Sequence, residues 1–250
     1  MNPLLISLIV FACVFGGATL GLFLHRRLPD HHLASETKDA VKLTMALVST
    51  MVAMVLGLLV GSAKSFFDTQ NNEIAQLAAN TVLLDRVLAE YGPKANDARQ
   101  TLRTAAAGFD RLTLSHYDGE LSRGSDLRRD DHLYQAIRAL SAETDDQRFL
   151  KSQASGLAIQ LGQTRWLMFE QRAVPVPTIL LGVWVFWLVA LFISFGVFAK
   201  PNTTLIASYF VSSFAVSAAV FLIIEMYHPY TGLIQVSNEP IRAAITQLGH

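Results

Sequence analysis

The sequence predicts an all-α integral membrane protein with four transmembrane helices and a helical extramembrane bundle between the second and third. Three observations predict it. Four windows, 3–24, 43–63, 173–199 and 201–224, contain no Asp, Glu, Lys or Arg and together take up 94 of the 250 residues. An uncharged apolar run of roughly 18 or more residues matches the hydrocarbon thickness of a bilayer. All 20 basic and 20 acidic residues therefore fall in the other 156 positions, which have the charge density of ordinary aqueous protein. The block 64–172 repeats its apolar positions at helical spacing, with no competing strand pattern.

The first window is expected to be a retained helix and not a cleaved signal. Met1-Asn2-Pro3 offers no basic n-region, the run exceeds the usual h-region of roughly 7 to 15 residues, and Arg26-Arg27 follow it. Windows one and two are expected to form a first hairpin, residues 1–63, joined by the polar stretch His25 to His32. Windows three and four form a second, residues 173–226, joined at Lys200-Pro201-Asn202. Residues 227–250 are read as a C-terminal tail.

Within 64–172, Phe67, Gln70, Ile74, Leu77, Thr81, Leu84, Leu88 and Tyr91 alternate in steps of three and four, the seam of a helix packed lengthwise on another. No breaker separates this seam from the second window, so one helix from about residue 42 to 91 is predicted, ending at Gly92-Pro93. A second run, Ala95, Ala98, Leu102, Ala105, Phe109 and Leu112, pairs with it as an antiparallel hairpin. Residues 118–130 read as a loop, and a short helix follows around Leu133, Ile137 and Leu140. Thr144-Asp145-Asp146-Gln147 is a capping box opening a last helix through Leu150, Leu157, Leu161 and Met168, which Pro175 and Pro177 end or kink.

Charge and motif content exclude several functions. Net charge is zero with no basic block, so nucleic acid is not a partner to expect. The single Cys13 allows neither an intramolecular disulfide framework nor a thiolate metal site, and is read as a small apolar residue packed within a helix. His25, Asp30, His31, His32 and Glu36 lack ligand spacing, and Ser115-His116 with Asp118 is no triad; no metal, no cofactor and no catalytic residue is expected. Without a phosphate loop, dinucleotide glycines or paired acids, the chain is not read as an enzyme.

Three sets of membrane residues stand out. Ser49, Ala53, Gly57 and Gly61 place small side chains at intervals of four, as do Cys13, Gly17 and Gly21. Such a face lets helix backbones approach, either inside the hairpin or between copies in an oligomer. Window four is rich in hydroxyls; these bond to their own or a neighbouring helix, or Ser208, Ser212, Ala215 and Ala219 face a polar lumen. Glu225 is an acid at the membrane boundary, a default functional candidate whose structural alternative is a pair with Arg172. The connections carry Arg26, Arg27, Lys38, Lys42 and Lys200, one basic residue more than the opposite side, which favours those connections inside and 64–172 outside.

Ile74 to Arg103 (IAQLAANTVLLDRVLAEYGPKANDARQTLR) and Phe221 to Gly249 (FLIIEMYHPYTGLIQVSNEPIRAAITQLG) resemble the bacterial bestrophin-like family of unknown function. The shared pattern is the Tyr91-Gly92-Pro93 stop, then Glu225, Pro229, Gly232 and Ser237 to Pro240. This chain departs at Tyr227-His228-Pro229-Tyr230, where relatives place Asp or Asn before Arg/Gln-Pro-Phe. The resemblance implies a homo-oligomer in the bilayer of the bacterial cytoplasmic (inner) membrane. By analogy with bestrophins it implies a channel for small ions, anions such as chloride, lined by the second helix. The matching apolar face here is Met45, Val48, Met51, Val52, Val55 and Leu58, suited to a dewetting constriction. The alternative from another class is a non-conducting scaffold or sensor whose bundle binds a protein partner.

Overall fold

Helix α1, Pro3–His25, starts where Asn2 caps it, its side chain accepting from the Leu4 N–H at 3.1 Å, with Pro at the position where the missing N–H costs nothing. The structure, a computed structural model, describes residues 2–27, 35–114, 132–171, 177–230 and 232–248. The other elements are α2, Ser35–Tyr91, a 3-10 turn, Pro93–Ala95, then α3, Asn96–Leu114, and α4, residues 132–138. They continue with α5, Asp145–Gln171, α6, Thr178–Val197, α7, Thr203–Met226, and α8, Glu239–Gln247. The protein is all-α, with no strand among the described residues, and α1, α2, α6 and α7 are long and apolar enough to cross a membrane. The 118–130 loop, Ser115-His116, Asp30, His31, His32, Arg172 and Pro175 lie outside the described residues, as do the side chains of Glu36, Phe109 and Leu112.

The described chain divides into two units, Met1–Phe66 with Pro175–His228, and Phe67–Val174 with Pro229–His250. In the first, α1 packs on both α6 and α7. Its glycines decide how. A Cβ at Gly17 would sit 3.2 Å from the Val189 side chain, and one at Gly21 would strike the backbone of Ile193 and Gly196. Residues 17, 21 and 25 of α1 thus meet 189, 193–196 and 197 of α6 in the same order, so the two helices run parallel. Against α7 the order reverses: Phe11 and Phe15 meet Phe210, while the Ser217 hydroxyl donates to the Ser7 carbonyl at 2.6 Å. Val14, Ala18, Leu59, Ala63, Trp184, Val220, Ile223 and Ile224 close the core. Cys13 faces outward on α1, and is therefore not the packed residue the sequence suggested. In a bilayer an outward apolar side chain costs nothing, so apolarity does not mark the buried face.

In the second unit the seam of α2 is buried as its spacing requires. Gln70, Ile74, Leu77, Thr81, Leu84, Leu88 and Tyr91 are all buried, with Phe67 packed at their edge. The helix stops at Gly92, whose φ of 100° is one that only glycine adopts without strain. Ala95, Ala98 and Leu102 of α3 return along the seam, and Leu133, Ile137 and Leu140 around α4 complete it. Thr144 caps α5: its hydroxyl accepts from the Gln147 N–H at 3.1 Å, and Gln147 reaches back to the Glu143 N–H at 2.8 Å. The return bond lands one residue earlier than in the standard box. Lys151 then ends α4, its ammonium donating to the Arg138 and Leu140 carbonyls at 2.7 Å each. Residues after 228, read from sequence as a tail, put Val236, Ile241 and Ala244 into this core.

Candidate functional site

Helix α2 is the least covered of the membrane helices. Only 11% of its apolar window is buried, against 28 to 33% in the other three. Its buried stripe, Val52, Leu59 and Ala63 with Met45, Val48, Val55 and Leu56 beside it, faces the core of its own unit. Trp184 of α6 secures that face by donating its indole N–H to the Val52 carbonyl at 2.9 Å. Of the six residues picked from sequence as lining a path, Met45, Val48, Val52 and Val55 therefore turn inward, and Met51 and Leu58 are exposed.

The outward face of α2 is apolar and uneven. Leu43, Leu47, Met51, Met54 and Leu58 stand exposed as large side chains. Ala53, Gly57 and Gly61 are also exposed, and a Cβ on either glycine would meet nothing within 4 Å. Packing inside the chain gives no reason for glycine there. Ser49 is half-buried and its hydroxyl bonds back to the Met45 carbonyl at 2.8 Å, so it offers no donor to a neighbour. At the far end of the window the Ser62 hydroxyl meets that of Tyr227 at 3.1 Å, and Phe66 stacks on the Tyr227 ring with centroids 5.3 Å apart.

The hydroxyl-rich α7 splits between faces. Ser213 and Ser217 are buried, whereas Ser208, Ser212 and Ala215 are exposed and Ala219 is half-buried. Glu225 is buried at the end of α7, not reaching freely to water from the boundary, and it does make a polar interaction. Its suggested partner Arg172 lies outside the described residues. No group of three His, Cys, Asp or Glu side chains poised for a metal occurs among the described residues.

Two polar constellations in the second unit have no signal in the sequence. Gln70 is fully buried at a seam position. It donates to Glu73 at 3.3 Å and to the side-chain amide oxygen of Gln171, and accepts from the Tyr230 hydroxyl at 2.6 Å. Gln171 in turn donates to Glu73 at 2.8 Å. Glu73 lies beyond the charge-free window 43–63, and burial pushes its carboxyl above the ordinary value of 4.5 while the bond from Gln171 works the other way. A carboxyl raised in the folded state binds its proton more tightly there than when unfolded. The stability it contributes is full below 4.5 and is lost as pH rises through the folded value. Glu73→Gln, which keeps the acceptor oxygen, is expected to flatten that decline; thermal melts of both proteins across acid to neutral pH check it, and parallel curves would show that Glu73 is not its source. The second constellation is Asp85 with Arg99, a two-point pair at 2.7 and 2.8 Å joining α2 to α3.

A family model described as the Bestrophin-like domain matches residues 12–241. No curated protein and no solved structure matches the chain.

Proposed function

The chain belongs to the Bestrophin-like domain family, and on that premise we propose that copies of it assemble around an axis in the bilayer and pass small anions such as chloride. The observation that carries the proposal is the outward face of α2. It is the least covered membrane helix, and it keeps glycines at 57 and 61 where its own chain leaves open space. Small residues there let a second copy approach closely, which is how helices associate when lipid competes for apolar surface. A residue lining a path between copies must be exposed on the single chain, so the lining role falls to Met51 and Leu58. Val52, buried in its own core, then acts by holding α2 in place. An apolar ring at that level gates by expelling water.

Chloride efflux from liposomes holding the purified protein tests this. Met51→Ala and Leu58→Ala are each expected to raise flux several-fold by widening the constriction. Wild-type liposomes as tight as empty ones, with neither variant altering them, would sink the channel reading. The scaffold reading draws on Phe149, Trp166, Leu167 and Leu233, all exposed in the second unit. A stable complex with a different protein, isolated from cells and lacking conductance, would favour it.

A further inference from the structure

The ends of α1 and α6 lie side by side. Gly21 and Gly196 bring the two backbones into contact, and one turn later His25 donates through Nδ1 to the Val197 carbonyl at 2.8 Å. Arg26 and Arg27 follow α1 directly, and Lys200 lies three residues beyond Val197, the last residue of α6. All three are exposed, and none forms an ion pair among the described residues. The windows 3–24, 173–199 and 201–224 contain no acid, and the stretch after Arg27 carries Asp30, Glu36 and Asp39, the last of which pairs with Lys42 at 3.4 Å.

Arg27 sits above an apolar wall. Leu20, Phe23 and Leu24 occupy one face of the last turns of α1 and are exposed. Arg27 belongs to the same face, and its guanidinium carbon stands 5.0 Å from the centre of the Phe23 ring. That stacking holds the charge over the end of the wall. A rim of positive charge above a bare hydrocarbon surface fits a ligand with two parts, an anionic head and an apolar tail. A free anion makes no use of the wall, and a zwitterionic lipid brings no net charge to the rim.

We propose that this rim binds an anionic phospholipid, with the headgroup phosphate on Arg26, Arg27 and Lys200 and an acyl chain along Leu20, Phe23 and Leu24. Basic residues next to a membrane helix draw anionic lipid through field strength that falls off within a Debye length. Here the parallel contact of α1 and α6 brings together the helix ends that these residues follow, although the residues themselves lie up to 174 positions apart.

Full-length protein, stripped of lipid in neutral detergent, is to be titrated with phosphatidylglycerol or with phosphatidylcholine of the same chains, and bound lipid counted by native mass spectrometry. Phosphatidylglycerol is expected to bind on the order of tenfold more tightly. The triple variant R26Q/R27Q/K200Q should lose that preference at an unchanged melting temperature, whereas K94Q, in the second unit, should keep it. If the triple variant does not fold, R27Q and K200Q singly should each lower the preference several-fold, and Arg27→Lys should largely restore it. Equal binding of the two lipids, or a preference that survives these substitutions, would overturn the proposal. So would displacement of phosphatidylglycerol by millimolar inorganic phosphate, which would mark a free-anion site.

Discussion

Gly21→Leu is expected to prevent α1 and α6 from assembling. A Cβ at Gly21 strikes the Ile193 carbonyl oxygen and lies 2.9 Å from the Gly196 Cα, and one at Gly196 lies 2.8 Å from the Leu22 nitrogen. These are backbone atoms, which cannot rotate away as the tip of a side chain can. The helices would have to separate, giving up the packing of Ala18 and Leu22 and the His25–Val197 hydrogen bond. Overpacking of a core costs about 1–3 kcal/mol where side chains absorb it, and this contact belongs at or above the top of that range. Size-exclusion profiles and thermal melts in detergent measure it. Gly16→Leu is the matched control, since a Cβ there meets nothing within 4 Å and the residue is exposed. Equal melting temperatures for the two variants would mean that the close crossing does not exist.

Arg99→Met is expected to destabilise the second unit by about 3 kcal/mol, because it leaves the Asp85 carboxylate buried without its main partner. The Asp85 side chain is 6% exposed and that of Arg99 18%. For a chain of this length that loss corresponds to a fall in melting temperature of roughly 6–12 °C. The double variant Asp85→Leu/Arg99→Met should recover most of it, because removing both charges removes the desolvation cost as well. If the double variant were no better than the single, the loss would come from packing of the arginine stem and not from the stranded carboxylate.

The contrast between the two units shows what periodicity carries. In the bundle, water separates the faces of a helix by polarity, so a seam of period 3.5 found buried residues at every step from Gln70 to Tyr91, although Glu73, Ala78, Asp85 and Val87 beside it are buried as well. The stop at Gly92-Pro93 was equally readable, since it depends on backbone freedom at one residue. In the membrane windows both core and lipid are apolar, and the same reading of α2 merged two faces. Met45, Val48, Val52 and Val55 belong to the inner one, Met51 and Leu58 to the outer. Gly17 and Gly21 were visible as a repeat, but their partners Val189, Ile193 and Gly196 are not neighbours in sequence. The buried polar network was illegible for the same reason. Gln70 finds Gln171 and Tyr230 across 101 and 160 positions, and no local spacing announces such a pairing.

The parallel contact of α1 with α6 also sets an order of events during synthesis. Gly196 is made 175 residues after Gly21. At about 5–20 residues per second, α1 waits roughly 10–35 s for the helix that covers its glycine face. Throughout that interval its glycine face is a flat, backbone-lined side open to whatever else occupies the membrane. A nascent chain arrested between the second and third spans would therefore present a sticky half-product. The demand on the insertion machinery falls on shielding the first helix and not on recognising the last.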